Sequence, residues 1–250
     1  MKNIKNQTSL IEVYISILSN FDLSSINITL VLPILQKVLN LCYPDNLLRY
    51  YSNLLNLLDL LPEKLRYTEL VAIFLLDISE LPRARKLLMH LFNNNKLSLE
   101  GYKKYSHQLL KDSNFEQFEL VINKYKSLIY EANNILDKNK IEHEKNIYLL
   151  YLSFFTTQSD ANNANYYANL VEKVTSQNYQ FSIEKARILG NFYKKFGYFK
   201  EAQQYFNQAV ELIENKPNLS NKEYIYLSHI YNNLADIFYE TEDLDNYKNL

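Results

Sequence analysis

Residues 186–217 read ARILGNFYKKFGYFKEAQQYFNQAVELIENKP. Apolar and small residues recur at three- and four-residue steps, the period of a helix with one buried stripe. Leu189, Gly190 and Tyr193 share a face of a first helix, and Ala202, Phe206 and Ala209 share a face of a second. Between them stands Gly197, which can take the left-handed conformation that ends a helix without a Cβ penalty. Two helices joined by so short a turn must run antiparallel. The small residues Gly190, Ala202 and Ala209 let the two backbones approach, and Leu189, Tyr193 and Phe206 fill the space beside them.

The pattern continues in both directions. After residue 217, Tyr231-Asn232-Asn233-Leu234-Ala235 leads to Phe238 and repeats the first-helix signature. Before residue 182, Ala164, Ala168 and Val171 fill the second-helix places, with Tyr151-Leu152 and Phe155 ahead of them. Further back come Phe118, Ile122 and Tyr125, then Ala84, Leu88 and Leu91, then Tyr50, Leu54 and Leu57. The anchors 50, 84 and 118 are 34 apart, and the later anchors 164, 202 and 247 follow at steps of 46, 38 and 45. A recurring helix pair of this length is the signature of a solenoid.

These residues resemble the tetratricopeptide repeat. The first-helix tryptophan of that family is Ala186 here, and its closing proline is displaced to Pro217. The Asn232-Asn233-Leu234-Ala235 run resembles the longer repeats of kinesin light chains and of bacterial peptide-pheromone receptors. The resemblance implies an all-α fold, a right-handed α-solenoid of antiparallel helix hairpins. It divides the chain into divergent helix pairs over 1–60, degenerate repeats over 61–141 and clear repeats over 142–250. The last hairpin opens near Asp243-Leu244-Asp245 and has Tyr247 where a small residue is expected. Ending at Leu250, it is incomplete. A solenoid end needs a polar cap, so this end is expected either to continue into a further segment or to be covered by a partner, self-association included.

The composition agrees with long helices. Only 3 glycines and 5 prolines occur in 250 residues, too few for the turns of a sheet protein. Helices are predicted over 8–20, 30–42, 45–60, 64–79, 81–93, 98–111, 114–136, 142–157, 160–176, 181–196, 199–215 and 221–240. Pro44-Asp45-Asn46 and Leu61-Pro62-Glu63 mark breaks, and Ser220 with Glu223 forms a capping box. The 22 tyrosines suit a thin helical layer, where a ring is buried and its hydroxyl stays wet.

Catalytic signals are missing. No P-loop, G-x-G-x-x-G or G-x-S-x-G motif occurs, and glycines at 101, 190 and 197 cannot build a phosphate-cradling loop. The histidines 90, 107, 143 and 229 lack partners at metal-ligand spacing. His143 lies between Glu142 and Glu144, but neighbours on a helix diverge, and a solvated face is expected. Cys42 is the only cysteine and stands in an apolar stretch, as an inert thiol does. No cofactor, metal or catalytic residue is expected. The net charge of −1 disfavours a nucleic-acid partner. Residues 1–60 are too poor in Lys and Arg for a DNA-reading helix. The N-terminus carries no signal-peptide core and no apolar run reaches membrane length, which points to a cytoplasmic chain with no membrane partner.

What remains is a non-catalytic scaffold whose first helices line a groove for a peptide or protein segment. Glu184, Arg187, Asn191 and Lys194 fall on that face, followed by His229, Asn232, Asn233, Asp236 and Tyr239. Of these, Arg187, Asn191, Lys194, Asn232 and Asn233 are the candidate binding residues. Arg187 can grip a carboxylate with two N–H groups, and the asparagines offer donor and acceptor to an extended backbone. In the families resembled, an asparagine near Asn233 does that. The competing expectation is the helical-repeat arm of a larger enzyme or peptide-responsive regulator.

Overall fold

A computed structural model describes residues 68–77, 80–131, 137–216, 219 and 221–241, with eight further positions between 12 and 59. The helices expected before residue 60, Cys42, Ser220 and the final hairpin from residue 242 lie outside the described residues. The chain divides into two compact units, Met1–Tyr105 and Ser106–Leu250. Among the described residues every regular element is an α-helix.

In the first unit, α1 (Glu69–Asp77) packs on α2 (Leu81–Asn93), and α3 (Leu99–Lys111) begins. Pro82 stands in the first turn of α2, where its missing N–H costs nothing. Ala84, Leu87, Leu88 and Leu91 form its buried stripe. The Glu69 carboxylate accepts from the Ser98 backbone N–H at 2.5 Å and from the Ser98 hydroxyl at 2.6 Å. Ser98 Oγ in turn accepts from Gly101 N–H, which fastens the start of α3.

In the second unit, α3 finishes and is followed by α4 (Phe115–Glu131), α5 (Asp137–Thr157), α6 (Ala161–Lys173), α7 (Tyr179–Lys195), α8 (Phe199–Glu214) and α9 (Asn221–Glu240). From α4 onward sequential helices pack on one another, and α7 also touches both α5 and α9. Thus α5, α7 and α9 make one layer and α4, α6 and α8 the other. Helix α5 starts at Asp137, five residues before the expected 142.

Helix α7 is buried on two sides. Ile183 and Ala186 join Ala202, Phe206, Ala209, Ile213, Leu227, Ile230 and Leu234 in one core. Phe181, Ile188, Leu189 and Phe192 join Leu149, Leu152, Ala164, Ala168 and Val171 in the next. A helix shared by two cores needs apolar residues on two faces, and its sequence supplies them. Where α7 meets α8 the fit is tight: a Cβ at Gly190 would lie 2.6 Å from Phe206 Cε1.

The hairpin turns share one geometry. Gly197 has φ of 80°, and its neighbours Ser159 and Ser113 occupy the same left-handed region at 58° and 55°. In each turn the next residue closes a backbone bond to the fifth residue before it: Tyr198 to Tyr193, Asp160 to Phe155 and Asn114 to Leu109, all near 2.9–3.0 Å. The left-handed residue itself bonds three back, to Lys194, Thr156 and Leu110. This is the Schellman end of a helix. The three turns stand five residues before Ala202, Ala164 and Phe118. The register read from those anchors therefore extends to the α3–α4 turn.

Two outcomes follow from the packing. Gly190→Ala should lower stability by about 1–3 kcal/mol through overpacking against Phe206, and adding Phe206→Leu should recover part of the loss. Ser159→Gly should raise stability by about 1 kcal/mol, since the left-handed conformation costs a residue with a Cβ roughly that much. Chemical denaturation followed by circular dichroism measures both.

Candidate functional site

The expected binding residues sit on α7 and α9, neighbours in one layer. Arg187, Asn191 and Lys194 follow one another along α7 at helical steps of four and three. Lys194 reaches across to α9. Its ammonium donates to Asn233 Oδ1 at 2.8 Å and to Asp236 Oδ2 at 2.6 Å. Asn233 Nδ2 donates to the His229 carbonyl at 2.9 Å, so the amide is held at both ends. The Lys194–Asp236 pair is partly exposed, and its Coulomb energy is correspondingly small. Its effect is positional: it ties two consecutive first-layer helices and orients Asn233.

Arg187 is held differently. Its guanidinium lies 5.7 Å from the centre of the Tyr226 ring on α9, a cation–π contact. Its Nε is buried and donates to no acceptor. Asn191 is half-buried between Arg187 and Lys194. Asn232 is exposed, and one residue along a helix turns it about 100° from Asn233. Among the described residues no hydrogen bond joins it to the others. Tyr239 is 70 % exposed at the end of the same helix.

Two neighbours of this surface were not picked out by sequence. Tyr226 precedes Asn233 by two turns, a step that could have flagged it, and Gln180 Nε2 donates to its hydroxyl at 3.5 Å. Burial, and then the charge of Glu184, push the Tyr226 phenol up to about 12 against the opposing pull of Arg187. His143 also differs from expectation. Its Nδ1 shares a 2.7 Å hydrogen bond with the Tyr125 hydroxyl, and the rings meet edge to face. Helix α5 buries that edge against α4, so His143 does not face solvent alone.

The opposite side of α7 carries a second polar cluster. Glu172 Oε1 on α6 accepts from Tyr193 at 2.6 Å and from Tyr205 at 2.9 Å. The two rings stack 5.5 Å apart, 7° from parallel. Lys185 donates to the carbonyls of Glu172 and Val174 at the end of α6, where a cation meets the helix dipole. Burial pulls the Lys185 ammonium below its usual range, opposed by Glu172. Burial followed by the Glu172 hydrogen bond raises Tyr205 to about 12, and Tyr193 further.

The fold is that of an all-helical repeat protein. Residues 188–216 match the family model of the tetratricopeptide repeat. The match begins at Ile188 within α7, runs through α8 and stops before the Asn232–Ala235 run. No curated protein and no solved structure gives a significant match to the chain. Tetratricopeptide repeats generally mediate protein–protein interactions. Among the described residues no helix is long and apolar enough to cross a membrane, and no group of three acidic, histidine or cysteine side chains is placed to hold a metal.

The raised phenols give a pH dependence. Tyr151 also rises to about 12, by burial, then by Tyr167 and Glu119. An acid whose folded value lies above the unfolded 10.0 stabilises the fold fully below pH 10. That contribution is lost as pH climbs from 10 to about 12, because the unfolded chain ionises first. Stability should fall across this window, and Tyr205→Phe should flatten the fall. Denaturation midpoints at stepped pH, read beside phenolate absorbance, check it.

Proposed function

We propose that the chain is a non-catalytic scaffold that binds an extended peptide or protein segment on the α7–α9 surface. The observation that carries this is the Arg187 Nε, a buried donor without an acceptor. A buried unsatisfied N–H costs about 1–3 kcal/mol. A carboxylate or carbonyl from a bound segment would remove that cost and make a charge-assisted bond. Arg187 then takes an acidic group, with Asn191 beside it. Asn233, held in place by Lys194, has remaining donor and acceptor capacity for a backbone amide, and exposed Asn232 extends the contact. The tetratricopeptide match at 188–216 supports a protein as the partner.

The test is a peptide array or pull-down with wild type and with Arg187→Ala combined with Asn233→Ala. Binding should weaken at least about tenfold, the loss of roughly 1.4 kcal/mol or more. Unchanged affinity for every partner detected would show that the segment binds elsewhere. Both side chains are half-buried, so circular dichroism of the double variant checks that its helices remain folded.

A further inference from the structure

The second unit holds two grooves of one design, α4–α6 floored by α5 and α6–α8 floored by α7. Counted from Ala164 and Ala202, the residues Phe154, Phe155, Gln158 and Asp160 are the counterparts of Phe192, Tyr193, Phe196 and Tyr198. In the α6–α8 groove the chain covers its own floor. Phe196 lies 5.3 Å from Phe192, and Tyr198 meets Tyr193 edge to face at 6.1 Å. In the α4–α6 groove Gln158 and Asp160 stand in those two places, and neither brings a ring. A cleft of about 500 Å³ is open there, walled by Phe115, Phe154 and Phe155.

The rings of this wall are braced by others. Phe154 stacks on Phe118 at 4.8 Å and meets Phe115 edge to face at 5.7 Å. Phe155 stacks on Tyr151 at 6.0 Å and on Tyr167 at 5.5 Å. A wall held in this way has little freedom left to lose when a ligand meets it.

The charge of the cleft has one sign. Among the described residues its lining holds Glu116, Glu119 and Asp160, and no lysine, arginine or histidine. Asp160 caps α6, accepting from the Asn163 backbone N–H at 3.2 Å and from Asn163 Nδ2 at 2.7 Å. Glu116 and Glu119 are exposed on α4, and among the described residues neither makes a hydrogen bond or an ion pair. Counted from Phe118 and Ala164, their counterparts in the other groove are Asn162 and Asn165. The acidic rim therefore occurs where the floor is left uncovered. Ring faces beside unpaired carboxylates suit an arginine: its stem and flat guanidinium lie on aromatic carbon while its N–H groups fork onto carboxylate oxygens. A lysine brings the charge without the flat face.

We propose that the α4–α6 cleft docks an arginine side chain of a partner protein segment, its guanidinium lying on the phenylalanine wall and donating to Glu116 and Glu119. The arginine covers the floor that Phe196 and Tyr198 cover in the α6–α8 groove. The site is separate from the α7–α9 surface and does not depend on that surface being a binding site.

The experiment uses the full chain and three capped peptides, tetra-arginine, tetralysine and tetracitrulline, the last having the shape of arginine without its charge. Titration calorimetry reads the affinities. Tetra-arginine should bind at least about tenfold more tightly than tetracitrulline and several-fold more tightly than tetralysine. Glu116→Gln combined with Glu119→Gln, at two exposed positions, should weaken tetra-arginine at least about tenfold with the fold intact by circular dichroism. Gln158→Phe combined with Asp160→Tyr brings in the side chains of the α6–α8 groove and should block the same probe. Glu201→Gln combined with Glu211→Gln removes the same charge from exposed positions on α8 and should leave the affinity unchanged. Equal binding of arginine and lysine, tetra-arginine affinity untouched by the α4 pair, or an equal loss from the α8 pair overturns the proposal, the last by showing attraction to acidic surface at large.

Discussion

The distance between α7 and α8 governs the rest of the architecture. A Cβ at Gly190 has no room beside Phe206, so glycine lets the Phe206 ring seat directly on the α7 backbone. That approach seats Ala202 and Ala209 against α7 and closes the core that α9 completes. Once α8 is drawn in, Tyr205 reaches the Tyr193 ring, and both phenols meet Glu172. The polar latch is thus a consequence of close apolar packing. Hydrophobic burial supplies the larger energy, and the hydrogen bonds select the angle at which the layers meet.

Much of this was legible in the amino-acid order. Helical periodicity located α2 to α4 and α6 to α9 within a few residues, because each carries apolar residues at three- and four-residue steps. The pair Gly190 and Gly197 marked the close α7–α8 contact and its turn. The breaks near 112 and 158 were legible, but not their left-handed residues, because Ser113 and Ser159 hold a conformation that glycine more often takes. The closing bonds to residues five back decide that, and they depend on backbone geometry that no single residue type announces.

The candidate surface was legible in part. A helical face rich in Arg, Lys and Asn placed Arg187, Asn191 and Lys194 together. That Lys194 spends its charge on Asn233 and Asp236 was not legible, because the contact joins residues about forty positions apart whose alignment depends on how α7 and α9 stack. The Glu172 cluster was hidden for the same reason. Its members come from three helices and none stands out by composition in a chain with 22 tyrosines. Comparison of successive repeats supplies what single-helix reading cannot. Lys126 stands eight residues after Phe118, as Glu172 stands eight after Ala164, and that change is visible only after the repeats are aligned.

Helix α7 belongs to two cores at once, and this makes neighbouring hairpins energetically coupled. If α8 and α9 detach, α7 loses the burial of Ile183 and Ala186 but keeps its contacts with α5 and α6. The array can therefore fray inward from one end, hairpin by hairpin, with each step costing one shared interface. Loss of α7 itself would break both interfaces together. Such a chain behaves as a one-dimensional series of nearest-neighbour units, and a segment clamped across α7 and α9 would act as a fastener against fraying from that end.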